Sequence, residues 1–387
     1  MAHELYAQGL SKAAIANQLS IRKPTIIAWL AQKEYEDNRG WTKNKFRTHT
    51  PTESQRIVNL KKARINGKQY FLGSAYIQMD YSKAYPQEPL PSLWFMDETV
   101  RQAGLQTHEP KKRKKGQDIV SRLLFPIKNI VHLGLIQQSC DFIGKKYIQG
   151  SGEPIHVFST SFYQWFELYQ IRRVLTETAE MAIQSLTAFW EKFPLPHVLR
   201  EDNGMTFRGT GRTSGSIGQF VKFLLNLNIT PLFSAPYQSY TNPHIEGHNR
   251  TFGDKLWSKH HFTTPNAIDM ECDRFNAESR EFFEWKFKER LKATNLRYLN
   301  SKSILDSTHL HSTQGKKICF IRFVERWKET NQTSGIVILN RFVEISPVYL
   351  NQYVFVTLDL ETSRLKVVSE SQGKTYFIMN QIFEYTL

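Results

Sequence analysis

The segment 131–262 constrains the fold of this chain more tightly than any other part. It opens with three runs of β-branched and aromatic residues, IVHLGLIQQSCDFI, PIHVFSTSFYQ and FELYQIRRV, with Gly144-Lys145-Lys146 and Gly150-Ser151-Gly152 supplying turns. Short turns between strands mean antiparallel pairing. Next comes TETAEMAIQSLTAFWEKF, in which Ala179, Ala182, Ile183, Leu186, Trp190 and Phe193 form one apolar stripe at helical spacing. HVLRED then reads as a strand, SIGQFVKFLLNLN as a helix and ITPLFSAP as a strand, and a further helix starts near Pro243. Three antiparallel strands followed by alternating helix and strand predict an α/β domain.

The flanks read differently. Near the N-terminus, Gly9-Leu10-Ser11 forms a turn with Ser11 as N-cap, and Ala14, Ile15 and Leu19 recur at helical spacing. Ser20-Ile21-Arg22-Lys23 then breaks the helix before Pro24, which suits the first turn of the next one. This is a helix-turn-helix pattern with Arg22, Lys23 and Thr25 where the second helix would meet DNA, although an ordinary helical hairpin has the same pattern. A second, winged-type unit is expected from ESQRIVNLKKAR, a helix from Gly73, and LWFMDETVRQAGL after the Pro89-Leu90-Pro91-Ser92 break, with Trp94, Glu98 and Arg101 on or near its outward face.

Between the flank and the α/β segment, residues 106–117 carry Lys111, Lys112, Arg113, Lys114 and Lys115 in a row, a solvated tether suited to tracking phosphates. On the far side, residues 264–292 read as a long helix containing Phe275, Phe282, Trp285 and Phe287. That is more aromatic surface than a tether needs, so a partner subunit or nucleic acid is expected to cover the exposed rings. From Lys316 onward, the runs ICFIRFVE, SGIVILNRFVEI, QYVFVTLDL, RLKVVSES and TYFIMNQIFEYTL predict a small β-barrel.

Composition narrows the partner. Lys and Arg number 51 against 36 Asp and Glu, a formal net charge of +15, and such a surplus ordinarily meets a polyanion. A membrane surface competes for that role, but no apolar run is long enough to span a bilayer and the first residues lack the apolar stretch of a signal peptide, so a cytoplasmic location is expected. Cys140, Cys272 and Cys319 are unpatterned and read as small buried hydrophobes, which leaves no zinc or disulfide framework.

Three carboxylates stand out: Asp141 on the first strand, Asp202 closing the fourth, and Glu246 at the start of the helix after Pro243. If the first and fourth strands are neighbours, the two aspartates lie side by side and the glutamate can reach over them. Three carboxylates together repel one another, and hard cations relieve that repulsion. Two Mg2+ or Mn2+ ions about 3.5–4 Å apart would serve in-line phosphoryl transfer without a protein nucleophile. Each residue also has a plain reading: Asp141 as a strand residue near a turn, Asp202-Asn203-Gly204 as a tight turn, Glu246 as a helix-start charge. Asp97 and Glu98 are set aside because they sit in a helix, and Glu201 because strand alternation points it to the opposite face.

The element order is that of the ribonuclease H-like fold, and residues 136–256 resemble the catalytic core of the retroviral-integrase superfamily as found in bacterial insertion-sequence DDE transposases. The resemblance rests on Asp141, on Asp202-Asn203-Gly204 followed by Phe207, and on SAPYQSYTNPHIEGHNRTFGDKL, with Pro236-Tyr237, Asn242, Glu246, Asn249 and Arg250 at the positions of the family's proline–tyrosine loop and glutamate helix. Gly247 departs from the longer residue usual there, and the wide gap before Glu246 implies an insertion around 209–218.

The resemblance implies a multidomain chain: helix-turn-helix domains at 1–50 and 51–107, a basic linker at 108–130, a ribonuclease H-like core at 131–262, a helical linker at 263–314 and a small β-barrel at 315–387. It implies a transposase or integrase that binds double-stranded DNA at element ends and target, with Tyr237, Asn249 and Arg250 contacting DNA, working as a homo-oligomer (dimer or tetramer). A catalytically inactive DNA-binding regulator and another ribonuclease H-like nuclease are the alternatives.

Overall fold

The computed structural model describes residues 2–31, 49–106, 136–209, 214–238, 241–299, 309–327, 333–371 and 374–387. The basic run Lys111–Lys115 therefore lies outside the described residues. The chain divides into two compact units, Met1–Arg56 and Ile57–Leu387.

The first unit is helical. Helices α1 (Ala2–Ala7), α2 (Lys12–Gln18) and α3 (Lys23–Ala31) pack Ile15, Ala16 and Ile26 into a small core. Ser11 caps α2 through the Ala14 amide at 3.2 Å, and Ser20 turns the chain toward α3 at a φ of 53°. Helix α4 (Pro51–Asn66) begins with a capping box, in which the Thr50 and Glu53 side chains each accept the other's backbone N–H at 3.2 and 2.9 Å.

The second unit begins with the remainder of α4 and with α5 (Ser74–Ala84) and α6 (Leu93–Gln102), packed through Ile57, Ile77, Tyr81, Met96 and Val100. Among the described residues of 57–106 there is no strand, so nothing there forms the wing expected from the sequence.

The centre of this unit is a nine-stranded mixed sheet. Its first strands are β1 (Gln137–Tyr147), β2 (Pro154–Gln164), β3 (Leu168–Val174), β4 (Val198–Glu201) and β5 (Thr230–Phe233). The remaining members are β6 (Lys317–Phe323), β10 (Tyr353–Asp359), β11 (Arg364–Ser371) and β12 (Lys374–Ile382), in the order β12-β11-β10-β6-β5-β4-β1-β2-β3. Pairing is antiparallel from β3 to β1, parallel from β1 through β4 and β5 to β6, and antiparallel again to β12. Three short strands, β7 (Glu325–Arg326), β8 (Ser334–Ile338) and β9 (Arg341–Glu344), form a separate antiparallel sheet.

The C-terminal strands thus form no closed barrel among the described residues. β6 lies along β5, and the apolar faces of β10 and β11 pack into the same core as β1 and β4.

Helices cover the sheet. The helix α7 (Ala179–Trp190) buries Ala182, Leu186 and Trp190, and Trp190 donates to Gln138 at 2.9 Å. Short α8 (Met205–Arg208) and α9 (Gln219–Asn226) lie on either side of a loop pinched at its base by two glycines. Gly209 adopts a φ of 97°, and a Cβ on Gly218 would stand 2.8 Å from the Gly209 Cα, so side chains are excluded from this crossing. The other face carries α10 (Pro243–Lys255) and α11 (Pro265–Lys286).

Helix α11 corrects the expectation of a free aromatic surface. Phe275, Phe282, Phe283 and Phe287 are all buried, and Trp285 is half-buried. They pack on the molecule itself: Phe275 meets Tyr169 and Tyr70 edge-on, and Phe282 stacks on Tyr76 at 4.2 Å. Salt bridges and amide contacts follow the same seam, from Lys83 to Glu281 and from Arg274 to the carbonyls of Gly67 and Lys68. No helix among the described residues is long and apolar enough to cross a membrane. All three cysteines are free and buried, in line with their reading as small hydrophobes.

Candidate active site

A cavity of about 920 Å³ opens at the carboxyl ends of β4, β5 and β6, where loops leave parallel strands and backbone groups are not consumed by the ladder. Asp141, Asp202 and Glu246 all line it. The pairing of Ser139 with Arg200 puts β1 beside β4, so the two aspartates leave neighbouring strands on one face.

Asp141 sits mid-strand on β1 and is half-buried. Its carboxylate accepts a 3.0 Å hydrogen bond from Asn249 Nδ2. The Asn249 Oδ1 in turn accepts from Ser159 Oγ at 2.7 Å and from Tyr169 OH at 3.4 Å. One amide on α10 therefore ties together β1, β2 and β3 at the site. Burial pushes the Asp141 carboxyl up to about 8, the Asp202 and Glu246 charges add to the rise, and the Phe142 and Asn249 hydrogen bonds oppose it.

Asp202 follows the last residue of β4. It accepts the Gly204 amide at 2.7 Å, so it forms the tight turn and lines the cavity at once. The residue as a whole is exposed, but desolvation of its carboxyl against the cavity wall raises it above the usual range, opposed by the Gly204 amide. Glu246 lies in the first turn of α10 and is exposed. None of the three is ion-paired with Lys, Arg or His among the described residues.

Such a set of hard oxygen donors suits Mg2+ or Mn2+ in its chemistry. As the side chains stand, however, no group of three His, Cys, Asp or Glu among the described residues is gathered so that it could hold a metal ion.

The carboxylates set aside in the sequence lie elsewhere. Asp97 is engaged by the Ser74 hydroxyl and Glu98 by Arg101, both away from the cavity. Glu201 points to the core side of the sheet, fully buried, and neither carboxylate oxygen has a hydrogen-bond partner. Burial, with the Asp202 charge second, drives its carboxyl far up, so it is held neutral.

The residues expected to touch DNA divide into three groups. Arg22 and Lys23 are exposed at the start of α3 and Thr25 is half-buried, all within the first unit. Trp94 and Arg101 are exposed on α6, and Arg101 is paired with Glu98 at 2.8 Å. Tyr237 is fully exposed at the cavity rim and holds a left-handed φ of 57°, an uncommon conformation for an aromatic residue. Arg250 is exposed on α10 but does not line the cavity. Asn249 is turned inward onto Asp141, so its side chain is a positioning group rather than an outward contact.

Sequence reasoning missed the rest of the lining, which includes Asn203, Arg208, Arg322, Trp327 and Phe342. The one signal was Arg322, a lone charge inside the otherwise apolar run ICFIRFV.

Residues 1–49 match the family model described as the putative ATPase subunit of terminase (gpP-like). The match covers well under half of the chain. No curated protein matches it. Among solved structures, one chain of a cryo-EM structure of the simian T-cell lymphotropic virus intasome in complex with a PP2A regulatory subunit is similar at 11% identity and a TM-score of 0.30, over 84% of this chain and 99% of that chain. A TM-score that low is no evidence of a shared fold.

Proposed function

We propose that this chain is a DNA-processing polynucleotidyl transferase, a transposase or integrase of DDE type, with Asp141, Asp202 and Glu246 as its catalytic carboxylates. The observation that carries this reading is that the three line one cavity, where burial, and after it the charges of Asp202 and Glu246, push the Asp141 carboxyl up to about 8. Structural carboxylates are normally paired, whereas acids held together unpaired are characteristic of chemistry-bearing sites. The strand order β3-β2-β1-β4-β5, three antiparallel strands with two parallel additions, supports a ribonuclease H-like core. The +15 charge supports a polyanionic substrate.

A divalent cation, Mg2+ or Mn2+, would be held by Asp141, Asp202 and Glu246, the carboxylates that line the cavity. When bound, it would lower the pKa of an attacking hydroxyl and offset charge on the leaving oxygen. The chain's own residues do the rest. Asn249, fixed by Ser159 and Tyr169, aims the Asp141 carboxylate. The Gly204 amide orients Asp202. Tyr237 stands at the rim, where a base can stack on it. Joining two DNA ends calls for two such sites, hence a homo-oligomer, dimer or tetramer, on double-stranded DNA.

The test uses the full chain with Mg2+ and duplexes taken from DNA flanking the gene. Asp202→Asn should keep or raise DNA affinity, since a negative charge near phosphates is removed, while cleavage and strand transfer fall by orders of magnitude. Near-normal transfer by this variant would refute the mechanism. The ungathered carboxylates favour one second reading, a DNA-binding regulator without activity. Wild-type protein that binds these duplexes yet never cuts them, with Mg2+ or Mn2+, would establish that reading.

A further inference from the structure

The cavity lining beyond the three carboxylates carries arginines and aromatic rings, with the exposed Glu325 among them, and nothing in the proposed chemistry has used it. Arg322, at the end of β6, is buried, and its guanidinium meets no carboxylate among the described residues. It donates instead to the carbonyls of Val337 at 3.0 Å, Ser234 at 3.0 Å and Ile321 at 2.8 Å, and to Asn203 Oδ1 at 2.8 Å. These contacts hold the fork rigid, and one of its five N–H groups is left over.

Arg208, at the end of α8, lines the same cavity close enough that its charge is felt by Arg322. It bonds Asn340 Oδ1 at 3.0 Å, and its buried Nε has no partner. Neither guanidinium is paired with a carboxylate among the described residues; two such groups repel each other, and an anion placed between them relieves that repulsion. Beside them Trp327 packs on Phe342 with ring centroids 4.3 Å apart, both half-buried and both facing the cavity. Gly335 makes room for this pair, since a Cβ there would come within 2.6 Å of the Phe342 ring.

We propose that Arg208 and Arg322 form a phosphate subsite, and that Trp327 with Phe342 stacks the adjoining base of an unpaired nucleotide, so that the carboxylate pocket grips a single-stranded end. The inference rests on the function proposed above and names the form of its substrate. Guanidinium groups match phosphate oxygens in geometry, and an aromatic face accepts any base, so the subsite reads an unstacked strand and not a sequence. A cavity of about 920 Å³ is at the upper end of those that enclose a small ligand, with space for a nucleotide as well as its phosphate.

The experiment measures binding by fluorescence anisotropy with full-length protein and a labelled duplex carrying a short single-stranded overhang. The overhang is either intact or abasic, and inorganic phosphate serves as competitor. Arg208→Gln, on a half-exposed residue, should weaken binding of both probes about ten-fold and lower the salt dependence by about one phosphate contact. Trp327→Ala should weaken only the intact overhang. Inorganic phosphate should compete with wild type and not with Arg208→Gln. Equal affinity of wild type and both variants would overturn the subsite, as would equal loss of intact and abasic probes in Trp327→Ala. If wild type fails to bind any duplex, the proposed function falls first. If wild type binds and cuts while the variants match it, only the subsite falls.

Discussion

Replacing Asp141 with asparagine should make the metal-free protein more stable at neutral and alkaline pH, by an amount that disappears in acid. In the unfolded chain this carboxyl ionises near 3.8, and in the folded chain it is pushed up to about 8 by burial and then by Asp202 and Glu246. Across that window the unfolded state releases a proton that the folded state retains. The stabilisation is therefore complete below about pH 4 and is lost as pH rises through about 8. At about 1.4 kcal/mol per pKa unit, the whole window is worth up to about 6 kcal/mol. Water in the open cavity and rotation of the exposed Glu246 screen most of this, which leaves about 1–3 kcal/mol. The amide oxygen of the introduced asparagine still accepts from Asn249, so the substitution removes charge and little else.

For a unit of this size a stability change of 1 kcal/mol moves the melting midpoint by about 1.5 °C. Thermal unfolding in EDTA should thus place Asp141→Asn about 2–4 °C above wild type at alkaline pH, with the two converging toward pH 4. Millimolar Mg2+ should then raise wild type alone and narrow the gap. A difference independent of pH, or a variant less stable in alkali, would refute the account of the clustered carboxylates.

Other substitutions probe neighbouring parts of the argument. Asn249→Ala removes the side-chain donor to Asp141 and leaves the Ser159 hydroxyl only its longer bond to the Asp141 carbonyl; it should cost about 1–3 kcal/mol of stability and reduce strand transfer while leaving DNA affinity near wild type, read by denaturation and binding on one preparation. Tyr237→Gly relieves a left-handed backbone and should leave stability unchanged or raise it by up to about 1 kcal/mol, yet weaken DNA binding in a filter assay. Glu201→Met replaces a buried, unpartnered acid with an apolar side chain of similar length and should be neutral or stabilising at pH 8 in urea; a loss of several kcal/mol there would mean that Glu201 has a partner. Phe275→Ala should cost about 3–5 kcal/mol because its ring packs inside the molecule, whereas an interface residue would leave the midpoint of the uncomplexed protein unmoved.

Most elements were legible because each carries its own period. Strand β2 begins and ends where PIHVFSTSFYQ does, and α7 occupies the middle of its amphipathic stretch. What a strand's alternation does not encode is its neighbour. The runs from Lys316 onward read as strands, but only tertiary packing decides that β6 lies along β5, through Leu232 with Cys319 and Phe233 with Phe320. The α11 aromatics raised a related ambiguity: periodicity shows that a face wants covering and leaves open whether the cover is a partner or, as here, α5 and β3. Of the candidate site, the carboxylates were legible from residue type and strand position. Asn249 was assigned outward by analogy, and its inward turn depends on Ser159 and Tyr169, which are remote in sequence. Arg208 and Arg322 were illegible as a pair because more than a hundred residues lie between them.

The hydrogen bonds around residues 215–217 have a consequence for the order in which the protein can mature. The Gly215 amide donates to Leu339, the Ile217 amide to Thr386, and the Thr386 amide back to Gly215. Residues 215–217 are therefore latched by segments more than a hundred residues further along the chain. During synthesis α2 and α3 can fold as soon as they emerge, because every contact in their small core is local. The cavity instead draws its lining from Asp141 through Phe342, and such distant pairings close slowly. A nascent chain of this kind forms its helical N-terminal unit well before its carboxylate pocket, and a break before β8 would leave that pocket without Ile336, Asn340 and Phe342.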